Sequence, residues 1–170
     1  FGYDAMGRMT SDNHEGILTD SFAYDGLGQR IQTWNSQLGA SVKSTTDYDA
    51  QGRVVKMVDM GGNVTTYAYA WSSAIATTGF GTFGGWTKTT VNSTGLTETQ
   101  KVDYFGRQAG ETDFGGHVNT YTFNLAGELA SFTNSSNAGA PETYSYFNTG
   151  LLASQGTVTS GTYAGYDYTS

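Results

Sequence analysis

The chain has 170 residues, a net charge of −7, 14% charged residues, 14% aromatic residues and no cysteine. That charge excludes a nucleic-acid footprint, which needs clustered Lys and Arg. The missing cysteines exclude disulfides and thiolate chemistry. No apolar run is long enough to insert this segment into a bilayer as a helix.

The chain starts at Phe1, without a methionine, and reads as a piece of a longer polypeptide. Its first signal is Tyr3-Asp4-Ala-Met-Gly7-Arg8. This returns as Tyr24-Asp25-Gly-Leu-Gly28-Gln-Arg30, as Tyr48-Asp49-Ala-Gln-Gly52-Arg53 and as Val102-Asp103-Tyr-Phe-Gly106-Arg107. All four arginines therefore fall in one kind of place, and the chain is a tandem repeat. The motif glycines recur after 21 residues (Gly7 to Gly28), 24 (to Gly52), 54 (to Gly106), 21 (to Gly127) and 23 (to Gly150). Gly16, Gly39, Gly62, Gly95, Gly116 and Gly139 lie between them, so each unit holds two turns and two strands of about eight residues.

Asp-x-x-Gly puts Asp at the first position of a type I turn and Gly at the fourth, where a left-handed conformation is often needed. Gly61-Gly62 and Gly115-Gly116 predict a second kind of turn, the two-residue hairpin loop. The strands alternate. Tyr67, Tyr69 and Trp71 oppose Thr66, Ala68 and Ala70, and Tyr121, Phe123 and Leu125 oppose Thr120, Thr122 and Asn124. Period two with aromatics on one face predicts half-buried antiparallel strands. Asp59-Met-Gly-Gly-Asn-Val-Thr-Thr-Tyr-Ala-Tyr69 aligns with Asp113-Phe-Gly-Gly-His-Val-Asn-Thr-Tyr-Thr-Phe123 at an offset of 54 without a gap.

The pattern degenerates over 71–92. There Gly79-Phe-Gly-Thr-Phe-Gly-Gly-Trp86 reads as an irregular connection, or as an exposed aromatic surface for self-association or sugar stacking with Trp34, Trp71 and Trp86 as platforms. A loop is expected over 133–141, around the single proline, Pro141. In the last units Asn124 and Asn148 replace the aspartate, and Glu128 and Leu151 the arginine. The C-terminal third is therefore expected to be the least regular.

The Asp–Arg pairs recur in several units, whereas a catalytic constellation appears once. They are read as structural, the arginine tying one rung to the next. His117 aligns with Asn63, and His14 sits beside Asp12 and Glu15 in a turn; neither is read as a metal ligand or a base. No Ser-His-Asp arrangement emerges. No metal, cofactor or catalytic residue is expected. Sequons occur at Asn63, Asn92 and Asn134.

The Tyr-Asp motif, its Gly-Arg, the period and the Gly-Gly-Asn-Val-Thr-Thr-Tyr-Ala-Tyr stretch resemble the YD repeats of the RHS family, from Gly2 to about Leu152. The resemblance implies an all-β fold of tandem antiparallel β-hairpins, a ribbon or part of a spiralling β-shell. In bacterial RHS toxins and insecticidal toxin complexes such a shell encloses a toxic C-terminal domain. Teneurins use one in adhesion, and other members sit on bacterial surfaces, some linked to carbohydrates. The family's self-cleaving Asp-Pro signature is absent here. The expectation is a non-enzymatic structural segment of an exported, bacterial protein, extracellular or at the cell surface, encapsulating a toxin or cargo domain. Its partners are flanking repeats or other copies of the chain. The alternative is a surface adhesin or self-assembling fibre whose repeats bind glycan or one another.

Overall fold

The structure, a computed structural model, describes residues 1–77, 81–136, 140–157 and 163–165, with backbone alone at 163–164. Gly79, Phe80 and Gly139 lie outside the described residues. The fold is all-β, and every described strand pair with a defined register is antiparallel. In chain order the strands are β1 (Gly2–Tyr3), β2 (Met9–His14), β3 (Leu18–Tyr24), β4 (Arg30–Asn35), β5 (Lys43–Tyr48), β6 (Val54–Val58), β7 (Val64–Ser72) and β8 (Gly85–Val91). There follow β9 (Thr97–Asp103), β10 (Gln108–Thr112), β11 (Val118–Phe123), β12 (Leu129–Asn134), β13 (Glu142–Tyr146), β14 (Leu152–Thr157) and β15 (Tyr163–Gly165).

The chain divides into two compact units. One is Phe1–Tyr67 with Thr90–Gly95, and the other is Ala68–Thr89 with Leu96–Ser170. Within each unit the sheet order is the chain order, as a run of hairpins requires.

The Asp-x-x-Gly turns behave alike. At the first, the Gly7 amide donates to the Asp4 carbonyl (3.0 Å) and the Asp4 amide to the Arg8 carbonyl (2.9 Å). Gly7, Gly28, Gly52, Gly106, Gly127 and Gly150 hold φ between 77° and 84°, where a side chain is strained. The strand register shifts beside each of these turns. This is a type I turn closed by a glycine bulge.

The glycine pairs depart from expectation. Only Gly62 and Gly116 have positive φ (82° and 84°), and their amides donate to Asp59 and Asp113, each at 3.0 Å. A mirrored two-residue loop needs positive φ at its first central position, which Gly61 and Gly115 lack. These loops are therefore the same Asp-x-x-Gly turn on the opposite edge. A mirrored loop forms instead at Glu15-Gly16 (φ 53° and 78°), closed by the Ile17 amide on the His14 carbonyl at 2.9 Å.

The C-terminal turns are more regular than the substitutions suggested. At 124–128 the Asn124 and Glu128 backbones repeat the pattern at 2.9 Å, and Phe147 and Leu151 do so at 2.8 Å. Phe147, not Asn148, stands at the aspartate's position. The glycine alone sustains the backbone turn, and the carboxylate reinforces it. Leu125 lies in a turn, 71% exposed, and not on the aromatic face of β11.

Alternation holds in β7 as far as Ala70, with Tyr67 and Tyr69 half-buried and Thr66, Ala68 and Ala70 exposed, and breaks at Trp71, which is exposed rather than sharing the buried face. Even so, no apolar side chain among the described residues is fully buried. Cohesion therefore rests on the backbone ladder, on cross-strand pairs such as Tyr121 and Phe132 (centroids 5.2 Å apart), and on the turns.

Between β7 and β8 the second unit carries a strap, described over 73–77 and 81–84. Thr77 and Gly81 exchange backbone bonds of 2.7 and 3.1 Å, and the Gly84 amide reaches the Ile75 carbonyl at 3.2 Å. Strap residues Ala74, Ile75 and Ala76 form one wall of a cleft; Lys101, Ala109, Thr120, Tyr121 and Thr122 form the other. The sequence duplication explains why a strap can lie here. In the first copy the register row reads Asp47, Lys56, Thr66. In the second it reads Lys101, Gly110, Thr120. The exposed Lys56 is thus replaced by the buried Gly110, which clears the row.

Candidate functional site

The turn aspartate is the centre of a clamp. In the first turn Asp4 Oδ1 accepts the amides of Met6 (2.9 Å) and Arg8 (3.0 Å), while Oδ2 accepts Arg8 Nε (2.7 Å). Asp49 with Arg53 and Asp103 with Arg107 repeat this at 2.8 Å from Nε to Oδ2. On the opposite edge Asn63 Nδ2 and His117 Nδ1 lie 2.8 and 3.0 Å from Asp59 and Asp113. At Asn124 the polarity is reversed, its Nδ2 donating to Glu128 at 2.7 Å. Arg30 does not clamp Asp25, because Gln29 occupies the position after the glycine and bonds Asp25 through its amide (2.9 Å). Arg30 instead sits 5.3 Å from the Phe22 ring centroid.

Two kinds of contact stitch successive turns along this edge, and both occur from Gly7 to Gly28, from Gly28 to Gly52 and from Gly127 to Gly150. The first comes from the residue after the glycine. Arg8 Nη1 donates to the Asp25 carbonyl (3.1 Å) and lies over Gly28. Gln29 covers Gly52 in the same way, Arg107 covers Gly127, and Glu128 covers Gly150. Arg8 and Arg107 also pack over the rings of Tyr24 (4.8 Å) and Phe123 (4.3 Å).

The second stitch is the tyrosine hydroxyl. Tyr24 donates to the Met9 carbonyl (2.7 Å), Tyr48 to Arg30 (3.0 Å) and Tyr146 to Leu129 (3.0 Å). Each acceptor lies two residues past the preceding motif glycine. The sequence placed these tyrosines in the sheet but not their hydroxyls on a carbonyl. Tyr3, in the first motif, is 61% exposed. Tyr24→Phe is expected to cost about 1 kcal/mol, the net worth of one such bond, read from urea midpoints.

The clamps respond to acid. Amide and guanidinium bonds from Arg8 hold Asp4 below its ordinary value of 3.8. Asp49 is partly desolvated, which opposes the shift, yet bonds from Arg53 keep it low as well. Asn63 lowers Asp59 through its side-chain amide, and His117 lowers Asp113 through its backbone amide. A depressed folded pKa contributes stability that is present above the unfolded value and lost as pH falls through the folded one. Urea midpoints should therefore fall with acidification below about pH 4, and Asp59→Asn should flatten that fall.

Asp103 is the one described buried carboxylate, 3% exposed. Gly85 of β8 lies directly against its backbone, which withdraws this clamp from water while those at Asp4 and Asp49 stay half-exposed.

The tryptophans separate. Trp34 is half-buried in β4 of the first unit. In the second unit Trp71 and Trp86 meet edge to face, centroids 5.5 Å apart, with 47% and 42% of their surface exposed. Phe83, Tyr104 and Phe105 form a second exposed aromatic chain, with centroid spacings of 6.1 and 5.5 Å. Tyr104 and Phe105 are the two variable residues of the Asp103 turn.

His14 serves its hairpin. Asp12 and Asp20 face each other across β2 and β3, and His14 Nε2 lies 3.1 Å from Asp20 and 3.9 Å from Asp12. The imidazole nitrogen thus lies between two opposed carboxylates.

No family model matches the chain, and neither does any curated protein. Among solved structures it is similar to "Crystal Structure of TcdB2-TccC3-Cdc42", with a TM-score of 0.48, 12% identity, and coverage of 91% of this chain and 7% of that one. It is also similar to "Crystal Structure of TcdB2-TccC3-TEV", with a TM-score of 0.32, 11% identity, and coverage of 91% and 13%. For "Crystal Structure of TcdB2-TccC3 without hypervariable C-terminal region" the values are 0.29, 13%, 81% and 11%. The chain therefore spans a small part of each of these three chains.

Proposed function

We propose that this chain is a non-enzymatic structural segment of an exported bacterial RHS/YD-repeat protein, forming part of a β-shell around a toxin or cargo domain. The observation that carries the reading is the double stitch. The same two side-chain roles link successive turns at Gly7 to Gly28, and again at Gly127 to Gly150. A contact reproduced in this way joins repeats, whereas chemistry needs a unique site. The polar clamps hold turn backbone. Partly exposed apolar strand faces suit an array that lies against flanking repeats or an enclosed domain.

Electron microscopy of the full-length parent tests the proposal. A hollow, closed particle with internal density is expected; an open filament or a solid globule overturns it. The exposure of Trp71 and Trp86 favours a second reading, a surface adhesin or fibre binding glycan or further copies. Filaments in the same micrographs, or saturable glycan binding lost in Trp71→Ala, would select it.

A further inference from the structure

The strap between β7 and β8 roofs a cleft of about 240 Å³ in the second unit. Its roof is Ala74, Ile75 and Ala76; its floor is Ala109, Thr120 and Thr122, with Tyr121 and Lys101 at the side. The roof is small and aliphatic, the floor adds two threonines, the Tyr121 ring stands at the side, and Lys101 supplies the charge. Arg8, Arg53 and Arg107 are each paired with a turn aspartate, but the exposed Lys101 ammonium makes no ion pair or hydrogen bond among the described residues. This holds in a chain whose net charge is −7.

The cleft is also cleared relative to its own duplicate. The first copy carries Val55 and Lys56 where the second carries Ala109 and Gly110, and Asp47 where the second carries Lys101. Two reductions in size and one reversal of charge thus fall on a single patch. Threonine hydroxyls on the floor complete a donor set for a carboxylate. Thr122 already shares its hydroxyl with Ser131 at 2.6 Å, so the donors on the cleared row are Thr120 and Lys101.

We propose that this cleft binds a small monocarboxylate with a compact, branched aliphatic body. The carboxylate lies on Lys101 and the Thr120 hydroxyl, and the aliphatic body lies under Ala74 to Ala76. The site is independent of whether the parent forms a shell. The probe is isovalerate, titrated into the isotope-labelled 170-residue chain and followed by amide chemical shifts. Saturable shifts are expected at Ala76, Lys101, Thr120 and Thr122. Isoamyl alcohol, of similar shape without charge, should bind more weakly. Lys101→Gln should weaken isovalerate about tenfold, the loss expected for one charge-assisted bond. Lys56→Gln should leave it unchanged, and Gly110→Lys should abolish it by refilling the row. An absence of saturable shifts, equal binding of the alcohol, or unchanged binding in Lys101→Gln overturns the proposal.

Discussion

Gly85→Ala should destabilise the chain by about 3 kcal/mol, at the upper end of what one added methyl costs in a packed site. The new Cβ would fall on the Val102 carbonyl oxygen, with the Asp103 Cα and Ile75 Cγ2 each 3.0 Å away. The first two neighbours are backbone of β9, so relief requires moving the strand and, with it, the Asp103 turn. Gly26→Ala makes the contrast. Nothing lies within 4 Å of a Cβ at Gly26, and its φ is not among the positive ones. That substitution should be neutral or slightly stabilising, because it restricts the unfolded chain. Urea unfolding of the two variants separates close packing from a general intolerance of glycine replacement; equal losses would refute the steric account.

Asp103→Asn is the second large effect, a loss of about 3 kcal/mol. The amide oxygen can still accept the Phe105 and Arg107 amides, now bonded at 3.0 and 2.9 Å, so the turn itself survives. What is lost is the countercharge to Arg107, whose side chain is only 16% exposed beside an aspartate side chain 1% exposed. Removing one member of a buried pair takes its countercharge from the other, which is strongly destabilising. Asp49→Asn removes the same bond at a turn open to solvent and should shift the midpoint much less. The chain supplies its own rescue in the Asn124–Glu128 pair. Asp103→Asn combined with Arg107→Glu should therefore recover most of the loss. If the double variant is as unstable as the sum of its parts, the pair is not the unit of stabilisation.

Much of this organisation is legible along the chain because it is local. An aspartate, two free residues, a glycine and a long polar residue specify one turn, and turn chemistry acts over five positions. The same locality misleads when a shorter motif is embedded in it. Gly61-Gly62 and Gly115-Gly116 look like two-residue loops, yet Asp59 and Asp113 stand three residues before the second glycine and set the turn type. Arg30 looks like a clamp residue, but one inserted glutamine moves it onto β4 and against Phe22. Asn148 looks like a replaced aspartate, but counting back from Gly150 reaches Phe147.

The sequence by itself determined the repeat, the all-β class, the turn glycines and the alternation of β7, since each depends on neighbours within one hairpin. Only the tertiary structure decided which contacts join hairpins. The tyrosine hydroxyls, the long side chains lying over the next glycine, the burial of Asp103 and the strap over β9 to β11 all involve residues fifteen or more positions apart. Their pairing depends on strand register and on the shift at each glycine bulge. A one-residue change in that register would turn the same side chains to the opposite face.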